Sequence, residues 1–175
     1  MLRKIALVVV VVIAAVLGLA LTQPDTFSVQ RSATISAPPD QVFALVNDLK
    51  AFNRWSPWVR REPTVKLRYS GPESGAGAGY TWQGEQTGAG GMTITESTPP
   101  SKVTLKLDFT QPFESHNRVE FGFVPEGGGT RVTWAMSGPM PFISKLMSVF
   151  ADMDKMIGPD FEQGLANLKA EAEKR

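Results

Sequence analysis

The sequence contains no cysteine. Disulfides, thiolate metal sites and cysteine nucleophiles are thereby excluded. Histidine is nearly absent as well, with the single residue His116. One imidazole without thiolates is a poor start for a zinc or other transition-metal site, so neither metal nor cofactor is expected. His116 shares strand parity with Arg118 and Glu120 and reads as a surface residue on a polar face. Net charge is also small, with 18 Lys+Arg against 17 Asp+Glu. A near-neutral chain has no electrostatic footprint for nucleic acid and no polybasic patch for anionic lipid. Catalytic signatures are lacking too. There is no G-x-S-x-G nucleophile elbow. The glycine-rich run 75–79 (GAGAG) has no Lys-Ser/Thr after it and leads into a strand pattern, which makes it a hairpin loop rather than a phosphate cradle. No catalytic residue is assigned.

What the sequence does have is one long apolar run, Ile5 to Leu21, without charge or proline. As a helix it would rise about 26 Å, near the lower limit for crossing a bilayer core. Arg3 and Lys4 precede it, and no cation follows until Arg31. The positive-inside bias then places the N-terminus in the cytoplasm and the rest outside, in a periplasmic or extracellular space. Residues 1–21 are thus expected to be a single-pass anchor holding the membrane through residues 5–21. The alternative is a signal segment, cleaved near Gly18-Leu19-Ala20 so that the domain is secreted. Without Arg3 and Lys4 the remaining 16 Lys+Arg face 17 Asp+Glu, so the rest of the chain is near neutral.

Residues 22–27 (TQPDTF) read as a linker and 28–172 as one domain. Ser28 to Ser36 alternates polar and apolar and predicts a strand. Apolar residues at 42, 45, 46 and 49 predict a helix started by Pro39 or Asp40. Residues 50–58 predict a short second helix or turn ending at Pro57. Between 64 and 138 the period becomes two. Six successive segments carry one apolar face, through Val65, Leu67 and Tyr69; Tyr80 and Trp82; Met92, Ile94 and Glu96; Val103, Leu105, Leu107 and Phe109; Val119, Phe121 and Phe123; and Val132, Trp134 and Met136. Glycine- and proline-rich turns separate them, the pattern of an antiparallel sheet with one wet face. From Ile143 to Leu168 a helical period returns, with a kink or break expected at Gly158-Pro159. Lys169 to Arg175 is expected to be solvated helix or a fraying tail. Strands segregate from helices, which defines an α+β domain: a sheet of six or seven strands curved around a long C-terminal helix.

The segments 35–58 (ISAPPDQVFALVNDLKAFNRWSPW), 75–84 (GAGAGYTWQG), 91–109 (GMTITESTPPSKVTLKLDF), 129–138 (GTRVTWAMSG) and 160–169 (DFEQGLANLK) occur in the order seen in a known superfamily. Over roughly residues 28–170 the chain resembles the START-like, or SRPBCC, helix-grip proteins, in particular their polyketide cyclase/dehydrase and lipid-transport branch. The resemblance implies a deep apolar cavity between sheet and C-terminal helix, used for lipids or other hydrophobic small molecules. That branch shares no catalytic signature, so the resemblance implies no activity.

Candidate cavity-lining residues are Trp55, Trp58, Tyr69, Tyr80, Trp82, Met92, Glu96, Leu107, Phe109, Phe121, Phe123, Trp134, Met136 and Met153. Large aromatic faces and flexible thioethers suit an adaptable apolar pocket. Glu96 shares the apolar parity of Met92 and Ile94, and the competing reading puts it at the wet rim, just before Pro99-Pro100. The leading expectation is a membrane-tethered binding domain for a hydrophobic small molecule or lipid. One alternative is a cyclase, dehydratase or hydrolase in the same cavity, with Glu96, Tyr69 or Tyr80 transferring protons. Another is a ligand-free partner-binding module. Nothing in the sequence sets an oligomeric state.

Overall fold

The computed structural model describes residues 1–174. Arg175, the end of the charged tail, lies outside the described residues. The chain opens with helix α1, Leu2–Leu21. Strand β1 begins at Thr26 and runs to Ile35, so the last two residues of the expected linker are already in the sheet. Three short helices follow: α2 (Pro39–Asn47), α3 (Leu49–Trp55) and α4 (Pro57–Arg61). Asp48 caps α3, its carboxylate accepting from the backbone N–H of Lys50 at 2.8 Å and of Ala51 at 3.3 Å. Pro57 opens α4 instead of ending a helix, because proline at the first helical position gives up only an N–H that has no intrahelical partner.

The remaining strands are β2 (Lys66–Ser70), β3 (Gly79–Gln83), β4 (Ala89–Thr98), β5 (Lys102–Gln111), β6 (Ser115–Glu126) and β7 (Gly129–Pro139). They form one seven-stranded antiparallel sheet in the order β1-β7-β6-β5-β4-β3-β2. Two helices complete the chain, α5 (Phe142–Ser148) and α6 (Met153–Ala172).

The C-terminal helical stretch is interrupted earlier than the glycine-proline pair suggests. Val149 to Asp152 separates α5 from α6, and the Asp152 carboxylate caps α6 by accepting from the Asp154 N–H at 2.9 Å. Gly158 and Pro159 lie inside α6. Proline costs one intrahelical hydrogen bond there. That cost is offset by what the bare Gly158 admits, since a Cβ at this position would collide with the Arg31 guanidinium. Arg31, on β1, donates to Asp154 at 2.7 and 2.8 Å and to Glu162 at 2.7 Å, tying α6 to the sheet edge. Farther along, Phe161 stacks on Trp134 with centroids 4.1 Å apart, and Leu165, Leu168 and Ala172 are buried.

The concave face of the sheet divides into two regions. At one end α2 and α3 fill it. Phe43 meets Phe123 edge-on at 5.6 Å, and Phe52 and Trp55 meet Phe121 at 6.1 and 6.2 Å. The Trp55 indole N–H donates to the Leu45 carbonyl at 2.9 Å. Toward the other end Phe161 of α6 still covers Trp134, and beyond that contact the face is left open.

Candidate functional site

That unfilled end is a cavity of ≈ 720 Å³. Its floor is the apolar face of β3 to β7, with Tyr80, Trp82, Met92, Leu107, Phe109, Trp134 and Met136. Its roof is Trp58 from α4, Ile143 and Met147 from α5, and Met153, Met156 and Ile157 from the first turns of α6. The floor residues follow from strand parity. The roof follows from the helical spacing after Pro141 and from the Arg31 clamp that holds α6 in place.

Nine of the residues expected from the sequence lie on this wall: Trp58, Tyr80, Trp82, Met92, Leu107, Phe109, Trp134, Met136 and Met153. Five do not. Phe121 and Phe123 share the floor's parity but sit under α2 and α3, in the filled end of the face, and Trp55 is itself the last residue of α3, packed on Phe121. Tyr69 lies on the edge strand β2, 42 % exposed, with its hydroxyl accepting from the Asn53 amide at 3.1 Å. Glu96 points to solvent, because the ladder between β4 and β5 slips between Ile94 and Glu96 and turns the side chain away. There it pairs with Lys102 at 2.9 Å, and that hydrogen bond holds its carboxyl below the ordinary value. Tyr80 is buried, and desolvation pushes its phenol well above the ordinary value, which keeps it neutral. Of the proton-transfer groups anticipated for an enzyme, Tyr69 and Tyr80 are cross-strand neighbours with ring centroids 5.9 Å apart, but Glu96 stays in solvent and does not join them.

Polar groups are few on the wall: Ser56 and Asn117 are buried there, and the charged or titratable ones besides Tyr80 are Glu114, His116 and Asp160. His116 is among the lining residues, its Nδ1 2.6 Å from the Asp108 carboxylate and its Nε2 3.4 Å from Glu114. Strand parity alone reads His116 as surface; the register that sets it opposite Asp108 comes only from the β5–β6 pairing. Burial pushes Asp108 up, but Lys106 and His116 together outweigh this and leave it below the ordinary value. Asp160 on the wall is paired with Arg61. Among the described residues no three His, Cys, Asp or Glu side chains converge as metal ligands.

Sequence reasoning missed two further features. Glu62 is buried, and its carboxylate accepts from the N–H groups of Glu85, Gln86 and Thr87 at 2.6, 3.2 and 2.9 Å and from the Thr87 hydroxyl at 2.8 Å. It thus fixes the β3–β4 turn, whose Thr87 reaches the cavity wall. The Thr87 hydroxyl is the main cause of a Glu62 carboxyl held below the ordinary value. The other is the apolar rim, where Phe113 and Phe150 are 73 % and 76 % exposed and yet belong to the cavity lining.

A curved antiparallel sheet gripping a C-terminal helix around an apolar cavity defines the helix-grip class of proteins. Within it, the chain belongs to the polyketide cyclase / dehydrase and lipid transport family, whose pattern matches residues 26–173. No curated protein matches it. Among solved structures, protein CV1439 of Chromobacterium violaceum is similar at 18 % identity and a TM-score of 0.61, covering 87 % of this chain and 100 % of that one. The Mll3558 protein of Rhizobium loti is similar at 19 % identity and a TM-score of 0.62, covering 83 % and 96 %. The Aha1 dimer of Colwellia psychrerythraea is similar at 15 % identity and a TM-score of 0.60, covering 84 % and 96 %. At these identities the likeness is one of fold. Helix α1 is, among the described residues, the one helix long and apolar enough to cross a membrane; a signal sequence meets the same test.

Proposed function

We propose that this chain is a membrane-tethered domain that binds a hydrophobic small molecule or lipid outside the cytoplasm. The observation that carries the reading is the ≈ 720 Å³ cavity, walled by aromatic and Met side chains with charged groups held at its rim. Its size falls in the range of small-molecule sites, about 300–1,000 Å³. The walls supply mostly dispersion and desolvation, with a few polar groups such as Ser56 and Asn117, which suits a largely apolar body more than a polar metabolite. The family supports a ligand of this kind. The tether rests on α1, and its direction on Arg3 and Lys4 before the apolar run.

Native mass spectrometry of the full chain, released from lipid discs, tests the reading. The expected result is a bound species of lipid-like mass alongside the intact chain. A chain that carries no ligand and does not take up an added long-chain fatty acid refutes it. The same spectrum reports whether residues 1–20 are retained; reporter fusions after residue 30 and at the C-terminus, active only outside the cytoplasm, test the orientation.

A second reading is a cyclase-type reaction in the same cavity, and the pairing of His116 with Asp108 at the rim favours it. It requires that His116→Ala abolish turnover of a bound polyketide while leaving binding intact. Under the binding reading no bound compound is converted in either chain.

A further inference from the structure

The elements around the cavity mouth all lie at the end of the sheet nearest α1. Four residues separate the end of α1 from the start of β1, and Thr26 pairs with Pro139 at the end of β7. In the next ladder Arg118 pairs with Ser137, so the β5–β6 turn, with Phe113 in it, projects past the same end. Ala89 pairs with Gln111, which adds the β3–β4 turn. Helix α5 starts directly after β7 and packs against α1. Asp25, in the short connection, accepts from the Met140 N–H at 2.7 Å and from the Lys145 ammonium at 2.5 Å. Ala20, near the end of α1, is fully buried. The apolar helix is therefore seated on the α5 side of the cavity mouth.

The exposed large apolar side chains concentrate at this end. Beyond residues 1–21 they are Tyr69, Phe113, Val124, Phe142, Ile143, Met147, Phe150 and Met156, of which Phe142 opens α5 next to the mouth. Phe113, Ile143, Met147, Phe150 and Met156 are at once exposed and part of the cavity wall. A contiguous apolar rim of this kind marks an interaction surface. The occupant is indicated by what adjoins it. The connection Thr22–Asp25 spans at most about 14 Å, so a bilayer holding α1 lies within reach of the rim. The elements that form the mouth carry charges of both signs, Glu114, Asp152 and Asp154 against Lys145 and Lys155. Attachment would thus be carried by apolar insertion and would not need anionic lipid.

We infer that the cavity rim, made by the β5–β6 turn and α5, inserts into the surface of the bilayer that holds α1, so that the cavity opens to the leaflet. The rim side chains become the contact between protein and acyl chains, and a membrane-dissolved ligand passes between leaflet and cavity without crossing water. The inference rests on the readings of α1 as a retained membrane helix and of the cavity as a ligand site.

The absence of cysteine makes the test direct, since each introduced thiol is unique. Phe113→Cys, Phe150→Cys and, as a control at the opposite end of the sheet, Val124→Cys are labelled with an environment-sensitive fluorophore. All three positions are exposed, and circular dichroism verifies that each variant folds. The full chain is placed in phosphatidylcholine discs containing lipid with a spin label on the acyl chain. Labels at 113 and 150 are expected to shift to the blue and to be quenched several-fold more than the label at 124. Equal quenching at the three positions overturns the inference. A blue shift at 113 and 150 without lipid quenching also overturns it, because a second copy of the chain or another protein then covers the rim. A mature chain that has lost α1 overturns it at its premise. The native mass measurement separates this from the binding reading: quenched labels with no bound ligand sink the binding reading alone, and bound ligand with unquenched labels sinks the docking alone.

Discussion

Phe121 and Phe109 share one parity on adjacent strands, and replacing each by alanine separates the two halves of the concave face. Phe121 is fully buried, with Trp134 at 4.9 Å, Phe52 at 6.1 Å and Trp55 at 6.2 Å. Its removal leaves a void that rings on several sides cannot close, so Phe121→Ala is expected to cost about 4 kcal/mol, within the range for buried Phe→Ala changes. For a domain of this size each kcal/mol moves the melting point by about 2–4 °C, which gives a drop of roughly 8–16 °C. Phe109 is only half-buried, has Trp82 at 5.4 Å as its aromatic partner, and faces a cavity that already exists. Phe109→Ala forfeits part of a transfer term and creates little new void, about 1 kcal/mol or a few degrees. The order reverses for ligand. Phe109→Ala strips a contact from the wall, and a loss of about 1.4 kcal/mol would weaken binding tenfold; Phe121→Ala removes no wall residue and touches the wall only from behind, through Trp134, so its effect on ligand should be the smaller. Calorimetry of the full chain in mild detergent, with ligand retention read by native mass spectrometry, gives both quantities. Equal destabilisation by the two substitutions, or a loss of ligand that follows Phe121 and spares Phe109, would refute the division of the face into a filled end and an open one.

Other consequences are simpler to check. Glu96→Gln should leave ligand retention unchanged, since the β4 bulge turns Glu96 to solvent; a loss of binding would return it to the cavity. Glu62, Glu96 and Glu173 are held below the ordinary carboxyl value of 4.5, so the folded chain binds their protons more weakly than the unfolded one. Their stabilisation is complete above about pH 4.5, the ordinary value, and is lost as the pH falls below it toward the folded values. Melting points measured from pH 7 down to 3 should therefore fall at the acid end, and Glu62→Gln should flatten that fall; an unchanged profile in the variant would discount its clamp on the β3–β4 turn. Gly164→Ala puts a methyl group against the Trp134 ring and Pro57 and should cost about 1–3 kcal/mol by overpacking, readable as a lower melting point; full tolerance would mean that α6 sits farther from β7.

The two-residue period told which side chains share a face, because alternation is a property of the backbone. It did not tell which end of that face is filled. Trp55 and Trp58 lie three residues apart, yet one packs on Phe121 and the other on the cavity, since a break at Ser56 lets Pro57 start a new helix in another direction. Glu96 shows a second limit: parity holds only while the ladder keeps step, and a bulge carries no obligatory residue type. The early end of α5 shows a third, because an aspartate cap at 152 decided the break while the more conspicuous Gly158-Pro159 was absorbed under Arg31. Phe113 was legible in part, since a phenylalanine in a turn directly after Pro112 is an apolar residue with no strand to bury it. Its place in the rim became visible only with the register of β5 on β6.

The four residues between α1 and β1 also set a working radius. Fully extended they reach about 14 Å, well short of the 40–45 Å thickness of a bilayer. If α1 stays in a bilayer as proposed, a domain on so short a leash would not ferry cargo across a gap between two membranes. In an anchored chain each molecule serves only the patch of leaflet beneath it, and fresh cargo arrives by lateral diffusion in that leaflet. Throughput would then scale with the number of chains in the membrane, and any acceptor would have to come to the chain.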